Sequence, residues 1–106
     1  MATENIALTE AVYYILLSVC SPLHGYGIMQ KVALLSGNRV RLAAGTLYGA
    51  LNTMQEKKWI QPFSEEPNSR KKAYIITEAG KQVLRAELAR LKELVTNGEA
   101  LLEAKS

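Results

Sequence analysis

The sequence predicts a mainly α fold with one small β-hairpin and a long last helix. Three observations carry this. Apolar residues recur at helical spacing in three stretches before residue 59. Two short β-prone runs, 59–63 and 71–76, flank a turn-rich segment at 64–69. From 78 to about 105 the apolar residues step by four and three, the spacing of a heptad seam. At 106 residues the chain is one domain with room for a modest core.

Thr9 is placed to cap the first helix, with Glu10 in the first turn where the helix dipole favours an anion. Val12, Ile15, Leu16 and Val19 then share a core-facing side. Ser21-Pro22-Leu23-His24-Gly25 ends this helix, because proline cannot continue it. A second helix is expected from about Tyr26 to Ser36, with Ile28, Val32 and Leu35 on one side and Gly37-Asn38 as a left-handed stop. Residues 39–42 alternate as a short extended link. The third helix is expected from about Ala43 to Lys58.

Leu47, Leu51 and Met54 occupy one face of the third helix, and Gly45, Tyr48, Gly49 and Asn52 the other. Glycine in a helix interior costs about 1 kcal/mol against alanine, so two of them ask for a reason. A close contact with another helix is one; close approach to a nucleic-acid backbone or groove is the other. Tyr48 lies off the apolar side, where a phenol can reach a phosphate, and Tyr26 has the same two options. Trp59, at a helix-to-strand junction, reads as core.

Thr77 is placed to cap the last helix. Its seam is Leu84, Leu88, Leu91, Val95 and Leu102, with Gly98 in one slot and Leu94 and Leu101 widening the stripe. That seam is too long for one small domain to cover, which predicts a homodimer. Residues 1–76 and 77–106 are therefore read as a winged-helix unit and its dimerisation helix, in one compact body.

Net charge is only +3, but it is unevenly placed. Residues 1–38 carry Lys31 against Glu4 and Glu10. Residues 39–80 carry Arg39, Arg41, Lys57, Lys58, Arg70, Lys71 and Lys72 against Glu56, Glu65, Glu66 and Glu78. Phosphate binding needs such bases grouped on one surface. A helix with a small and polar face, followed by a hairpin carrying Arg70, Lys71 and Lys72, is the pattern of a winged helix-turn-helix that meets double-stranded DNA.

Other classes find little support. There is one histidine, one cysteine and no aspartate. His24 and Cys20 make no zinc site alone. No glycine pattern matches a phosphate-cradling loop, and neither an enzyme nor a cofactor is expected. The apolar run 11–20 is too short to span a membrane and has no basic stretch before it, so the chain reads as cytosolic. A winged helix used only to bind another protein is the open alternative.

Six words of sequence bear a family resemblance: Ile15-Leu16-Leu17, His24-Gly25-Tyr26-Gly27-Ile28, Gly45-Thr46-Leu47-Tyr48, Trp59-Ile60, Arg70-Lys71-Lys72-Ala73-Tyr74 and Thr77-Glu78-Ala79-Gly80. Together, from about 6 to 104, they resemble the PadR family of bacterial transcriptional regulators, in its small subclass with a single C-terminal helix. The resemblance implies a homodimeric winged helix that binds operator DNA, as an inverted repeat, and represses. It places Gly45, Thr46, Tyr48 and Gly49 in the reading helix and Arg70, Lys71 and Lys72 in the wing. Ala43 stands where a capping Ser or Asn is usual. Any effector is expected to be a small apolar molecule at the dimer centre, walled by Ile15, Val19, Leu88, Leu91 and Val95.

Overall fold

The computed structural model describes residues 7–64 and 72–104. Thr9 is extended, and its hydroxyl accepts the Val12 N–H at 3.1 Å, which starts α1, Glu10–Ser18. A two-residue strand, β1, Leu23–His24, leads straight into α2, Gly25–Leu35. Then come α3, Ala44–Glu56, β2, Ile60–Phe63, β3, Ala73–Ile76, and α4, Glu78–Leu102.

Two helices stop in the same way. At the end of α2, Gly37 N–H reaches Leu34 C=O at 3.2 Å and Asn38 N–H reaches Ala33 C=O at 2.8 Å. Gly37 and Asn38 both have positive φ. This is the doubly bonded left-handed cap that the Gly-Asn pair is suited to make. At the end of α3, Lys58 N–H bonds Gln55 C=O and Trp59 N–H bonds Met54 C=O, each at 2.9 Å. Here the left-handed residue is Lys58, φ 65°. A lysine gives no signal for that turn, so the helix expected to run to Lys58 stops at Glu56.

The antiparallel sheet has the order β1-β3-β2. In the hairpin Ile60 faces Ile76 and Phe63 faces Ala73. The expected hairpin is present, and within the segment expected only to end the first helix stands a third strand, β1. It adds to β3 through Leu23 opposite Tyr74 and His24 opposite Ala73. Two residues are too few to show a period, and their partners lie fifty positions away.

The core gathers Ile15, Leu16 and Val19 from α1, Ile28 and Val32 from α2, and Leu47, Leu51 and Met54 from α3. Ile60, Tyr74, Ile76 and Leu84 close it from the sheet and α4. Trp59 is half-buried against this cluster. Leu35, expected on the core side of α2, is exposed instead. Ile15 and Val19, expected to wall a cavity between two chains, lie wholly inside one chain.

Thr77 ties the hairpin to α4. Its hydroxyl accepts Gly80 N–H at 3.0 Å as the helix cap, and lies 2.6 Å from Lys58 C=O, to which it donates. Its own N–H bonds Trp59 C=O at 2.9 Å. A Cβ on Gly80 would collide with that same Trp59 carbonyl, so only glycine lets α4 start this close to the turn.

Candidate nucleic-acid interface

α3 is amphipathic in the sense the sequence implies. Leu47, Leu51 and Met54 are buried, while Gly45, Thr46, Gly49 and Asn52 are exposed. A Cβ added to Gly45 or Gly49 would meet nothing within 4 Å. The contact with a second helix that these glycines allowed for is therefore absent among the described residues, and the face is open to them. Its centre is free of bulky side chains, as a surface that meets a rigid polyanion closely has to be.

The start of α3 carries no side-chain cap on Ala43 and no acid in its first turn. The start of α2 is alike: His24 makes no capping bond, and no acid follows. An uncapped helix N-terminus presents unpaired N–H groups and the positive end of the helix dipole. Tyr26, in the first turn of α2, is 66% exposed.

Tyr48 behaves differently from its neighbours on α3. It is 43% exposed, and its hydroxyl lies over Gly25, where any other residue would place Cβ. It also stands near Tyr74, whose phenol is pushed above its usual value first by burial and then by Tyr48.

The basic residues divide. Lys72 is exposed just before β3, and its neighbour Ala73 pairs with His24, the residue preceding α2. The sheet thus brings the foot of the wing to the uncapped start of α2. Arg70 and Lys71 lie outside the described residues. Arg39 is held by Glu10 of α1, and Lys57 sits over the Trp59 ring at 5.2 Å, so these two charges serve the fold.

Along α4, Leu88, Leu94, Val95, Leu101 and Leu102 are exposed and Leu91 is half-buried. Leu84 corrects the expected seam: it is 9% exposed and belongs to the chain's own core. Nothing in the helical period marks Glu87, which is buried one turn further along α4. Arg90 grips its carboxylate at 2.9 and 2.7 Å, and Leu8 N–H adds a bond at 3.3 Å. An apolar hollow of about 290 Å³ is lined by Leu8, Val12, Ala50, Met54 and Trp59, with no α4 residue in its lining. Among the described residues no helix is long and apolar enough to cross a membrane.

The model of the transcriptional regulator PadR-like family matches residues 14–86. The chain belongs to this family. Its fold and its membership are those of a DNA-binding transcriptional regulator. Solved structures agree on the fold. A PadR family transcriptional regulator from Eggerthella lenta superposes with TM-score 0.69 at 24% identity, over 89% of this chain and 82% of its own. A PadR-like transcriptional regulator from Bacillus cereus gives 0.69 at 22% identity, over 91% and 92%. A PadR-like transcription factor from Bacteroides fragilis gives 0.67 at 25%, over 86% and 87%. An uncharacterized 37.1 kDa protein in transposon TN4556 of Streptomyces fradiae is 38% identical over 66 residues, 62% of this chain. Those residues span only 18% of that longer relative.

Proposed function

We propose that this PadR-like protein is a homodimeric repressor that binds an inverted-repeat operator. One observation carries the DNA side of this reading: the exposed face of α3 is small and polar, is open, and is backed by a fully buried face. α3 enters the major groove with Gly45, Thr46, Gly49 and Asn52 toward the bases. Tyr26 and the uncapped start of α2 flank it along the backbone. Lys72, with Arg70 and Lys71, takes the adjacent phosphates. The exposed stripe Leu88, Leu91, Val95 and Leu102 supports pairing of α4 with a second copy. Two-fold symmetry then sets two reading helices about 34 Å apart, or a multiple of it, along the duplex. Repression follows by occupying the promoter. Any effector is a small apolar molecule held where the two chains meet, walled by Leu88, Leu91 and Val95.

The test separates the helix from the wing. Phosphate contacts position a protein without reading sequence, whereas base contacts discriminate. Arg70→Ala should weaken binding to operator and random DNA alike and lower the salt slope by about 1 per lost phosphate contact. Asn52→Ala should spare random DNA and cost about 1–3 kcal/mol per base contact on the operator. Affinities measured at several salt concentrations decide. Loss of operator preference alone in Arg70→Ala, with the slope unchanged, would reverse the assigned roles. A single asymmetric footprint on the promoter would remove the inverted repeat.

A further inference from the structure

Two of the sequence words meet at one side chain. Tyr48 of α3 reaches Gly25, the first residue of α2. Gly25 is buried and its φ is not in the left-handed region, so its backbone would accept any residue. Space is what it lacks. Besides the Tyr48 hydroxyl, a Cβ there would meet Cζ at 2.8 Å and Cε1 at 3.3 Å, all atoms of the same ring. Gly25 therefore leaves the space that Tyr48 fills, and Tyr48 joins α3 to the start of α2.

We propose that Tyr48 is a positioning residue, whose ring, seated on Gly25, fixes the distance and roll of α3 relative to α2. The inference rests on the reading of α3 as the DNA-facing helix. It assigns Tyr48 a different task from its exposed neighbours. Gly45, Thr46, Gly49 and Asn52 present a surface, while Tyr48 holds that surface in register with the phosphate-binding elements. A recognition surface must be held to within about half an ångström by locked neighbours to be specific, and a rigid aromatic ring does this with few torsions to fix. Its hydroxyl is turned onto the start of α2, where it occupies the place of a Gly25 Cβ.

The experiment is a mutant cycle on operator and random DNA, with helicity and sedimentation checking the fold of each variant. Tyr48→Ala should weaken operator binding at least about tenfold, the scale of one lost base contact, with random-DNA affinity and salt slope unchanged. Tyr48→Phe keeps the wedge and should restore operator affinity to within about threefold. Gly25→Ala should lose operator affinity as Tyr48→Ala does, and the Gly25→Ala/Tyr48→Ala double variant should be no worse than Tyr48→Ala alone. Such complete non-additivity is expected only of residues that act through one contact. Tyr48→Phe as weak as Tyr48→Ala would mean that the hydroxyl touches DNA, and would overturn the proposal. So would additive losses in the double variant, or an operator affinity untouched by Tyr48→Ala. If Gly25→Ala does not fold, the Ala-against-Phe comparison still decides. Loss in Asn52→Ala with none in Tyr48→Ala sinks positioning alone; no loss in either sinks the reading of α3 itself.

Discussion

The near and far halves of α4 belong to one continuous helix and have opposite surroundings. From Glu78 to Glu87 the helix is locked down. Thr77 caps it, Gly80 touches the Trp59 carbonyl, and Leu84 and Glu87 are buried. From Leu88 to Leu102 no residue is buried, and exposure of the leucines reaches 88% at Leu102. The apolar stripe crosses the boundary between these halves without interruption. A periodic seam states which face of a helix avoids water; it does not state what covers that face. Here one half is covered by its own chain and the other is exposed, the half that the proposed homodimer would cover.

The largest effect that tests this division is at Leu84. Leu84→Ala should cost about 2–5 kcal/mol, the range for a leucine removed from a core, and the cost should be the same at every protein concentration. Val95→Ala should barely change the melting temperature of dilute protein and should lower it in concentrated protein, because only a dimer's stability depends on mass action. Thermal melts of both variants at low and high concentration make the comparison. A Val95→Ala effect independent of concentration would mean that the far half has no second copy against it.

Glu87 sharpens the boundary through pH. Its carboxyl is held below the ordinary value of 4.5, chiefly by the side-chain bonds from Arg90, with Leu8 N–H helping and burial opposing. A lowered folded value means that the unfolded chain takes up the proton first as pH falls. The stabilisation is thus complete above the ordinary carboxylate value and is lost as pH drops through the lowered one. Glu87→Gln should melt below wild type near neutrality, and the two curves should converge in acid below pH 4.5. A gap that stayed constant down to strong acid would show that the pair contributes packing alone.

How much of this was legible varies with the length of chain that a feature needs. The caps at Thr9 and Thr77 and the stop at Gly37-Asn38 are local chemistry, and each stands where its residues imply. The two faces of α3 follow from one helical period. Features joining distant residues were hidden. β1 consists of two residues whose partners follow some fifty positions later. The left-handed turn at Lys58 is held from outside by Thr77, so the lysine itself gives no sign of it. Gly25 and Tyr48 each belong to a recognisable word, but nothing in either word tells that one fills the space the other leaves. The burial of Leu84 and the exposure of Leu35 depend on where neighbouring elements end, which no period encodes.

The smallest expected effect is at Gly98, and it bears on how far the pairing of α4 extends. Gly98 follows Val95 by three residues and precedes Leu102 by four, so it occupies a slot in the seam. A Cβ there would meet nothing within 4 Å in the single chain. In a solvated helix, replacing glycine by alanine stabilises by about 0.5–1 kcal/mol, since alanine loses less backbone freedom on folding. Gly98→Ala should therefore raise the melting temperature of dilute protein. If the partner's helix packs against the seam out to Leu102, the added methyl meets it, and the gain should shrink as concentration rises. An equal gain at all concentrations would place the end of the paired region before residue 98, with Leu101 and Leu102 outside the dimer. Measuring the gain across concentrations thus locates the last turn of α4 that a second copy covers.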